Sequence, residues 1–427
     1  MACPKTGQLS ECCRRLSSTS TVYTPIYHDL FNYPKGPVLK EIFDTFGDGF
    51  SNIDGDSWRN QRKVVQKLLS HHEFYHYLLK TIRQKVQQGL IPVLDQVSKQ
   101  GLVVDLHDLF TRLAYDTACI LVTGHNPESL SVEFPEVHFS RALADAGEAV
   151  FYRHVMPQRI WKFMRWLGIG KEKKLAEAKE TLDHVIAKCI SMKQEDVRDN
   201  NEGADLLTSY MNQEKMEGLQ VDDKFLRDTI LNLMLAGQST NIWALTWFFW
   251  LLSQNPSVET KIREELETMA PDLDIEKLNK LVYLHAALCE SLRLYPPAPF
   301  QHKTPIKPDT LPSGHKVKPN SKVIIATYSM GRMTSVWGKD CLEYKPERWI
   351  SKDGRKIKYE PAYKFFTFNA GPRACPGKQW AFTLLKTTAA TIIQKFNVQV
   401  MEGQCISTGG SIVLRMKEGL MVRVTKR

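Results

Sequence analysis

Phe368-Asn-Ala-Gly371-Pro-Arg373-Ala-Cys375-Pro-Gly377 sets one cysteine in a loop of glycine and proline, just before a helical pattern that carries Ala381. A cysteine in that setting is either a buried core thiol or a thiolate that binds a metal. A thiolate ligand must be kept deprotonated, which calls for backbone amides and a positive helix end close to the sulfur. Glycines at 371 and 377 let the backbone curl around Cys375. On this loop alone both readings stand.

Residues 335–376 before the cysteine are rich in Pro, Gly and aromatics with little period, which predicts a long ordered loop region, and such loops are usually functional. Lys316 to Tyr328 alternates and is rich in Val, Ile and Thr, so it reads as strand, and Ser411 to Thr425 reads as a hairpin. Upstream, helical spacing dominates: Gln61 to Ser98, Val104 to Thr123 and Lys171 to Gln194 repeat apolar residues three and four apart. A polar break near Gly203 precedes a long helix predicted from about Asp222 to Ser253, which Asn255-Pro256 ends. Pro256 to Leu294 reads as further helices. Residues 1–30 are polar, Ser/Thr-rich and without period, a loose tail, and 31–427 read as one mainly α domain with small β-sheets.

The chain has 427 residues, 43% hydrophobic and 24% charged, which excludes a disordered protein. Its formal charge of +10 is spread along the chain with no arginine-rich tail, which points away from nucleic acid and toward an anionic membrane surface or an acidic protein. Nine cysteines include no C-x-x-C pair and no secretory framework, so the thiols read as reduced and the chain as cytosol-facing. The longest apolar stretch, Ile242 to Leu252, is eleven residues, a buried helix too short to span a membrane.

The loop matches F-x-x-G-x-R-x-C-x-G at every fixed position and so resembles the heme-binding signature of the cytochrome P450 family. Four more elements stand in that family's order. Trp58-Arg-Asn-Gln-Arg62 resembles its W-x-x-x-R element, Ala236-Gly-Gln-Ser239-Thr240-Asn241 its oxygen-activation motif, Glu290-Ser-Leu-Arg293 its E-x-x-R, and Lys345-Pro-Glu-Arg348-Trp349 its P-E-R-F segment. The resemblance implies a P450 fold holding heme b, with Cys375 as the axial iron ligand and Phe368 in the loop beside it. Trp58, Arg62, Arg373 and Lys303 would reach the propionates, while Glu290, Arg293 and Arg348 form a buried triad that fixes the cysteine loop. Thr240 and Ser239 would move protons for oxygen activation on a helix that opens locally. Ser239 replaces the usual acid and Asn241 the second threonine, and a serine passes a proton without supplying one. His302 reads as a polar loop residue and not an iron ligand.

The resemblance also implies a monooxygenase that takes O2 and two electrons from NADPH through NADPH-cytochrome P450 reductase. That acidic partner would dock on Arg59, Lys63, Lys67, Lys364 and Lys378. Asn32-Tyr-Pro-Lys-Gly-Pro37, Leu245-Thr-Trp-Phe-Phe-Trp-Leu251 and Phe300-Gln-His-Lys-Thr-Pro305 resemble the plant alkane and fatty-acid hydroxylases. Within that clan they are most similar to the mid-chain alkane hydroxylase family, some of whose members couple the phenol rings of norbelladine-type alkaloids, as noroxomaritidine synthases do. Hydroxylation of an alkane or fatty-acyl chain leads, phenol coupling stands second, and an inactive heme-binding protein is the reading of another class. The family's anchor, first helix and opening strands find no counterpart before Trp58, so a truncated beginning is expected. The family's usual place is the cytosolic face of the endoplasmic reticulum. Peripheral membrane contact is expected from Phe151 to Leu167, where aromatics alternate with basic residues.

Overall fold

A computed structural model describes residues 32–198, 203–212, 219–269, 274–311 and 314–427, and the expected tail at 1–30 lies outside them. The helices among them are α1 (Gly36–Ile42), α2 (Gly55–Leu69), α3 (His72–Lys85), α4 (Ile91–Gln100), α5 (Leu106–Thr123), α6 (His138–Val155), α7 (Gln158–Leu167) and α8 (Gly170–Arg198). After these come α9 (Leu206–Met211), α10 (Asp223–Gln254), α11 (Pro256–Glu267), α12 (Ile275–Lys280), α13 (Val282–Leu294), α14 (Thr327–Met330), α15 (Thr334–Trp337) and α16 (Lys378–Lys395).

The central element is α10. It starts where the Asp222 carboxylate accepts the Phe225 N–H at 2.7 Å, and it stops at Asn255 because Pro256 cannot continue it. From Ile242 to Leu252 every residue except Trp250 is buried, as a helix apolar all round must be. It packs along α5, where Phe110 and Phe249 stack at 5.6 Å, and against α13 and α16. Trp247 stacks on Tyr295 at 4.0 Å and donates its indole N–H to Leu414 O at 2.7 Å, so its polar end is satisfied inside the core. Among the described residues no helix is long and apolar enough to cross a membrane.

The sheets are small and antiparallel. β1 (Val103–Asp105) and β6 (Phe396–Val400) flank β9 (Met421–Lys426), with Val103 opposite Arg423 and Phe396 opposite Lys426. β2 (Gln301–Lys303) pairs with β5 (Val323–Ile325), β3 (Asp309–Thr310) with β4 (Lys316–Val317), and β7 (Thr408–Gly409) with β8 (Arg415–Met416).

Local pattern failed in four places. The helical stretch Gln61–Ser98 breaks at Ser70–His71, where His71 takes ψ 135°, and loosens into one π turn at Val86–Leu90. The strand expected at Lys316–Tyr328 is two short strands parted by a turn with Asn320 at φ +60°, and it ends in α14. Ser411–Thr425 is no hairpin with itself. The bend at residues 410–414 sends β8 back to β7, and after Gly419 (φ +75°) β9 pairs with strands distant in sequence. His302 is a buried strand residue of β2, not a loop residue.

Candidate active site

In the loop that opens the sequence, Asn369 and Gly371 both take φ +61°, and the Cys375 N–H donates to Phe368 O at 2.8 Å, which closes the turn. Gly377 sits at φ −91°, so backbone strain does not demand glycine there; a Cβ on it would stand 4.0 Å from Cys375 Sγ. Burial pushes the Cys375 thiol above its ordinary value, while the Gly377 N–H, Arg62 and Lys378 push back. A bound metal would reverse that balance and hold the thiolate. Phe368 packs on Phe382 at 5.3 Å beneath the loop.

Cys375 is open to a cavity between this loop and α10. On one side stand Phe368, Cys375, Gly377 and Ala381; on the other stand Leu233, Ala236, Gly237, Thr240 and Ala244. None of the residues lining it is Asp, Glu, Lys, Arg or His. The thiol and Thr240 thus face one slot, as the two motifs require. The Thr240 hydroxyl donates to Ala236 O at 2.8 Å and the Asn241 amide to Gly237 O at 2.6 Å. Where local opening of the helix is expected, α10 runs without interruption, and its small polar residues bond back to their own turn. Ser239 does not line this slot. With Gln238 it opens on a second cavity of about 610 Å³, alongside Asp108, Glu136 and Arg415. Gln238 donates to Ser140 of α6, and its Oε1 is buried with no partner among the described residues.

At one edge of the site cations gather. The Arg373 guanidinium lies 4.0 Å over the Trp58 ring and donates to Asp54 at 2.6 Å and to Ile53 O at 2.8 Å. Arg62, one turn beyond Trp58 on α2, donates to Ala374 O. Lys303 is buried on β2, and burial together with Arg373 holds its ammonium down at about 8. Lys35, from the Asn32–Pro37 segment, lies with them: burial, Arg373 and Lys303 hold it down at about 7. Asp54 is the N-cap of α2, yet it caps nothing there; its carboxylate serves Arg373 and the Lys35 and Gly36 N–H groups instead. The Nε atoms of Arg62 and Arg373 are buried without a partner among the described residues. Crowded cations, idle guanidinium N–H groups and a single carboxylate fit a ligand that brings acid groups to this edge.

Below the loop, Glu290 and Arg293 form a fully buried bidentate pair at 2.7 and 2.8 Å, and Arg348 joins at 3.2 Å. The sequence missed a further partner, Trp349, whose indole N–H reaches Glu290 at 2.8 Å. The triad reaches the cysteine loop through the edge-to-face contact of Trp349 with Phe365 at 4.6 Å. Beside that contact, the Thr367 hydroxyl donates to Leu292 O at 2.9 Å.

A thiol facing a threonine across an apolar slot, with a cationic edge suited to two carboxylates, defines a heme-thiolate protein. A family model described as Cytochrome P450 matches residues 19–422. The chain is 46% identical to Alkane hydroxylase MAH1 of Arabidopsis thaliana, over 96% of this chain and 85% of that one. It is 42% identical to Noroxomaritidine synthase of Narcissus aff. pseudonarcissus MK-2014, over 94% and 80%. A crystal structure of a cytochrome P450 (CYP102L1) superposes with a TM-score of 0.77 at 21% identity, covering 96% of this chain and 91% of that one, a likeness of fold alone. This chain belongs to the cytochrome P450 family. Members are monooxygenases: their heme activates O2 with electrons from a redox partner and oxidises lipophilic substrates.

Proposed function

We propose that this enzyme hydroxylates the chain of an alkane or fatty-acyl substrate. Cys375 would hold the heme iron as its thiolate; Trp58, Arg62, Lys303 and Arg373 would hold the propionates; Phe368 would support the thiolate loop; Glu290, Arg293 and Arg348 fix that loop in place. The observation that carries the substrate class is the slot's wall, where Leu233, Ala236, Ala244, Pro297 and Ala298 stand without an ionised neighbour. An alkyl chain enters such a wall with no polar group left unpaired, gaining about 25 cal/mol per Å² of apolar surface buried. The similarity to an alkane hydroxylase points the same way. Thr240 holds a proton at Oγ1 beside the slot, and Ser239 draws on the polar cavity behind α10.

One observation favours a second reading, the oxidative coupling of phenol rings. No carboxylate stands at Ser239, and noroxomaritidine synthases are similar to this chain at 42%. Coupling removes two hydrogen atoms and inserts no oxygen, and activating O2 for it takes the same two protons as hydroxylation. An NADPH-cytochrome P450 reductase supplies the electrons. It docks where α2 exposes Arg59, paired with Asp56, together with Lys63 and Lys67; Lys378, over the Tyr359 and Phe368 rings, and Lys364, paired with Glu360, complete the basic set. The exposed face of α7 rests on the cytosolic side of the endoplasmic reticulum. The deciding experiment titrates the heme spectrum with alkanes, fatty acids and phenolic alkaloid precursors. A shift with alkyl chains alone supports hydroxylation; a shift with the phenolic precursors alone overturns it.

A further inference from the structure

We propose that His154 and His302 form a subsite that reads one hydroxyl group, so that the chain this enzyme oxidises already carries an alcohol. The inference rests on the alkyl-chain reading above and narrows its substrate class.

The two imidazoles come together from elements far apart in sequence. His154 stands in the last turn of α6 and His302 in the middle of β2, with ring centroids 5.8 Å apart. Aromatic rings surround them: Phe43 lies 5.6 Å and Phe300 5.4 Å from His154, and Phe151 packs on Phe300 at 6.4 Å. Phe43, Phe151, Phe300 and His154 are only half-buried, which leaves the cluster open to a ligand. Ala298, two residues before Phe300, lines the slot that Cys375 faces. His302 is therefore at most about 14 Å of extended chain from the slot wall.

Each ring is short of one hydrogen-bond partner. His302 Nδ1 and His154 Nε2 are buried with none among the described residues. Thr304 fixes where the hydrogen of His302 sits. Its hydroxyl has a single hydrogen, which it donates to Lys35 O at 3.0 Å, so toward His302 Nε2 at 3.3 Å its oxygen accepts. Nε2 then carries the ring hydrogen, and Nδ1 is a bare lone pair on a residue only 5% exposed. A lone pair withdrawn from water calls for a partner that brings a hydrogen, because leaving it unmet is costly. Burial holds His302 down at about 3 and His154 at about 4, so both rings stay uncharged at neutral pH, and Lys322 adds to the effect on each.

An alcohol meets both rings at once. Its O–H donates to His302 Nδ1 while its oxygen accepts the Nε2–H of His154. An ionised carboxylate has no hydrogen for Nδ1, and a cation would stand against Lys322 and Lys35. A bare alkane leaves both nitrogens unpaired.

The test titrates the heme spectrum of the loaded full chain with hexadecanol and with its methyl ether, which keeps the oxygen but has no hydrogen to donate. Wild type, His302→Phe and His302→Asn are compared, with hexadecane and palmitate as further ligands. Denying a buried acceptor its donor costs enough for a tenfold or greater change. Wild type should bind hexadecanol about tenfold tighter than the ether. His302→Phe should bind the two alike. His302→Asn, which keeps an acceptor oxygen near the Nδ1 position, should retain part of the preference. Equal binding of alcohol and ether by wild type would overturn the proposal, and that comparison needs no variant to fold. So would a preference that survives His302→Phe, or palmitate binding tighter than hexadecanol, since a carboxylate is then what the site reads. If no chain ligand shifts the wild-type spectrum while the phenolic precursors do, the alkyl-chain reading fails as well, a pattern distinct from the others.

Discussion

Trp349 donates its indole N–H to Glu290 at 2.8 Å, joining four other N–H groups on that carboxylate: Arg293 Nε and NH2, Arg348 Nε and the Lys345 amide. A carboxylate with no exposed surface is tolerated only when its oxygens are this fully engaged. Trp349→Phe keeps the aromatic packing on Trp337 and Phe365 but removes one charge-assisted bond, and should cost about 1.5–3 kcal/mol. Glu290→Gln leaves two guanidinium groups short of their anion and should cost about 3–5 kcal/mol, with heme loading falling in step. Urea unfolding and heme-to-protein ratios measure both. Full loading in Glu290→Gln would remove the structural role from this residue.

Cys375→Ala should abolish the strongly red-shifted Soret band of the ferrous–carbonyl form, because no other thiol lines the slot. Retention of that band would mean that another ligand holds the iron.

Ser239→Asp restores an acid on the side of α10 that faces the second cavity. If the native reaction is hydroxylation, the share of NADPH electrons recovered as product should rise and peroxide release should fall by at least about twofold. That is a modest part of what general acid catalysis contributes. Identical turnover, leak and product profile would make the serine a neutral replacement and weaken the case for phenol coupling.

His285 is stacked on Phe382 at 4.3 Å between α13 and α16, and burial, with Lys386 and Lys378 nearby, lowers its pKa to about 3. Its folded value lies below the unfolded one, so as pH falls from about 6.5 toward 3 the unfolded chain binds a proton that the folded chain refuses. Stability should drop over that window with a slope of at most about 1.4 kcal/mol per pH unit from this residue. His285→Phe keeps the stacking and removes the proton site. Urea midpoints between pH 7 and 4.5 should fall less steeply in the variant; parallel curves would refute the assignment.

Helix α7 turns Ile160, Phe163 and Trp166 outward, Trp166 with 78% of its surface exposed, while Arg153, Lys162 and Arg165 surround the buried Trp161. Those three cations are paired with Glu172, Glu41 and Asp44, so it is the apolar residues three apart, with the exposed Arg159 beside them, that suit the interface of an anionic bilayer. Replacing Phe163 and Trp166 by serine should weaken sedimentation with phosphatidylserine vesicles about tenfold or more. Wild-type binding should weaken as salt is added. Equal sedimentation of wild type and the double variant would show that α7 does not make the contact.

The sequence by itself determined the class of chemistry. In the cysteine loop, E-x-x-R and W-x-x-x-R, the groups that must cooperate lie within a few residues, so chain geometry alone sets them on one turn or one helix face. That Ser239 and Thr240 face different cavities was settled by the packing around α10, since helix neighbours point about 100° apart and either share a cavity, as Gln238 and Ser239 do, or do not. Tertiary structure decided the rest. Asp54 abandons its own helix to join Lys35 to Arg373, Trp349 completes Glu290, and β9 lies between β1 and β6, where local alternation suggested a hairpin. Each of these joins segments far apart along the chain. The unfolded chain does not prefer such pairings locally; they form because the packed core brings buried charges and unpaired strand edges together, where leaving them unmatched costs more than ordering them.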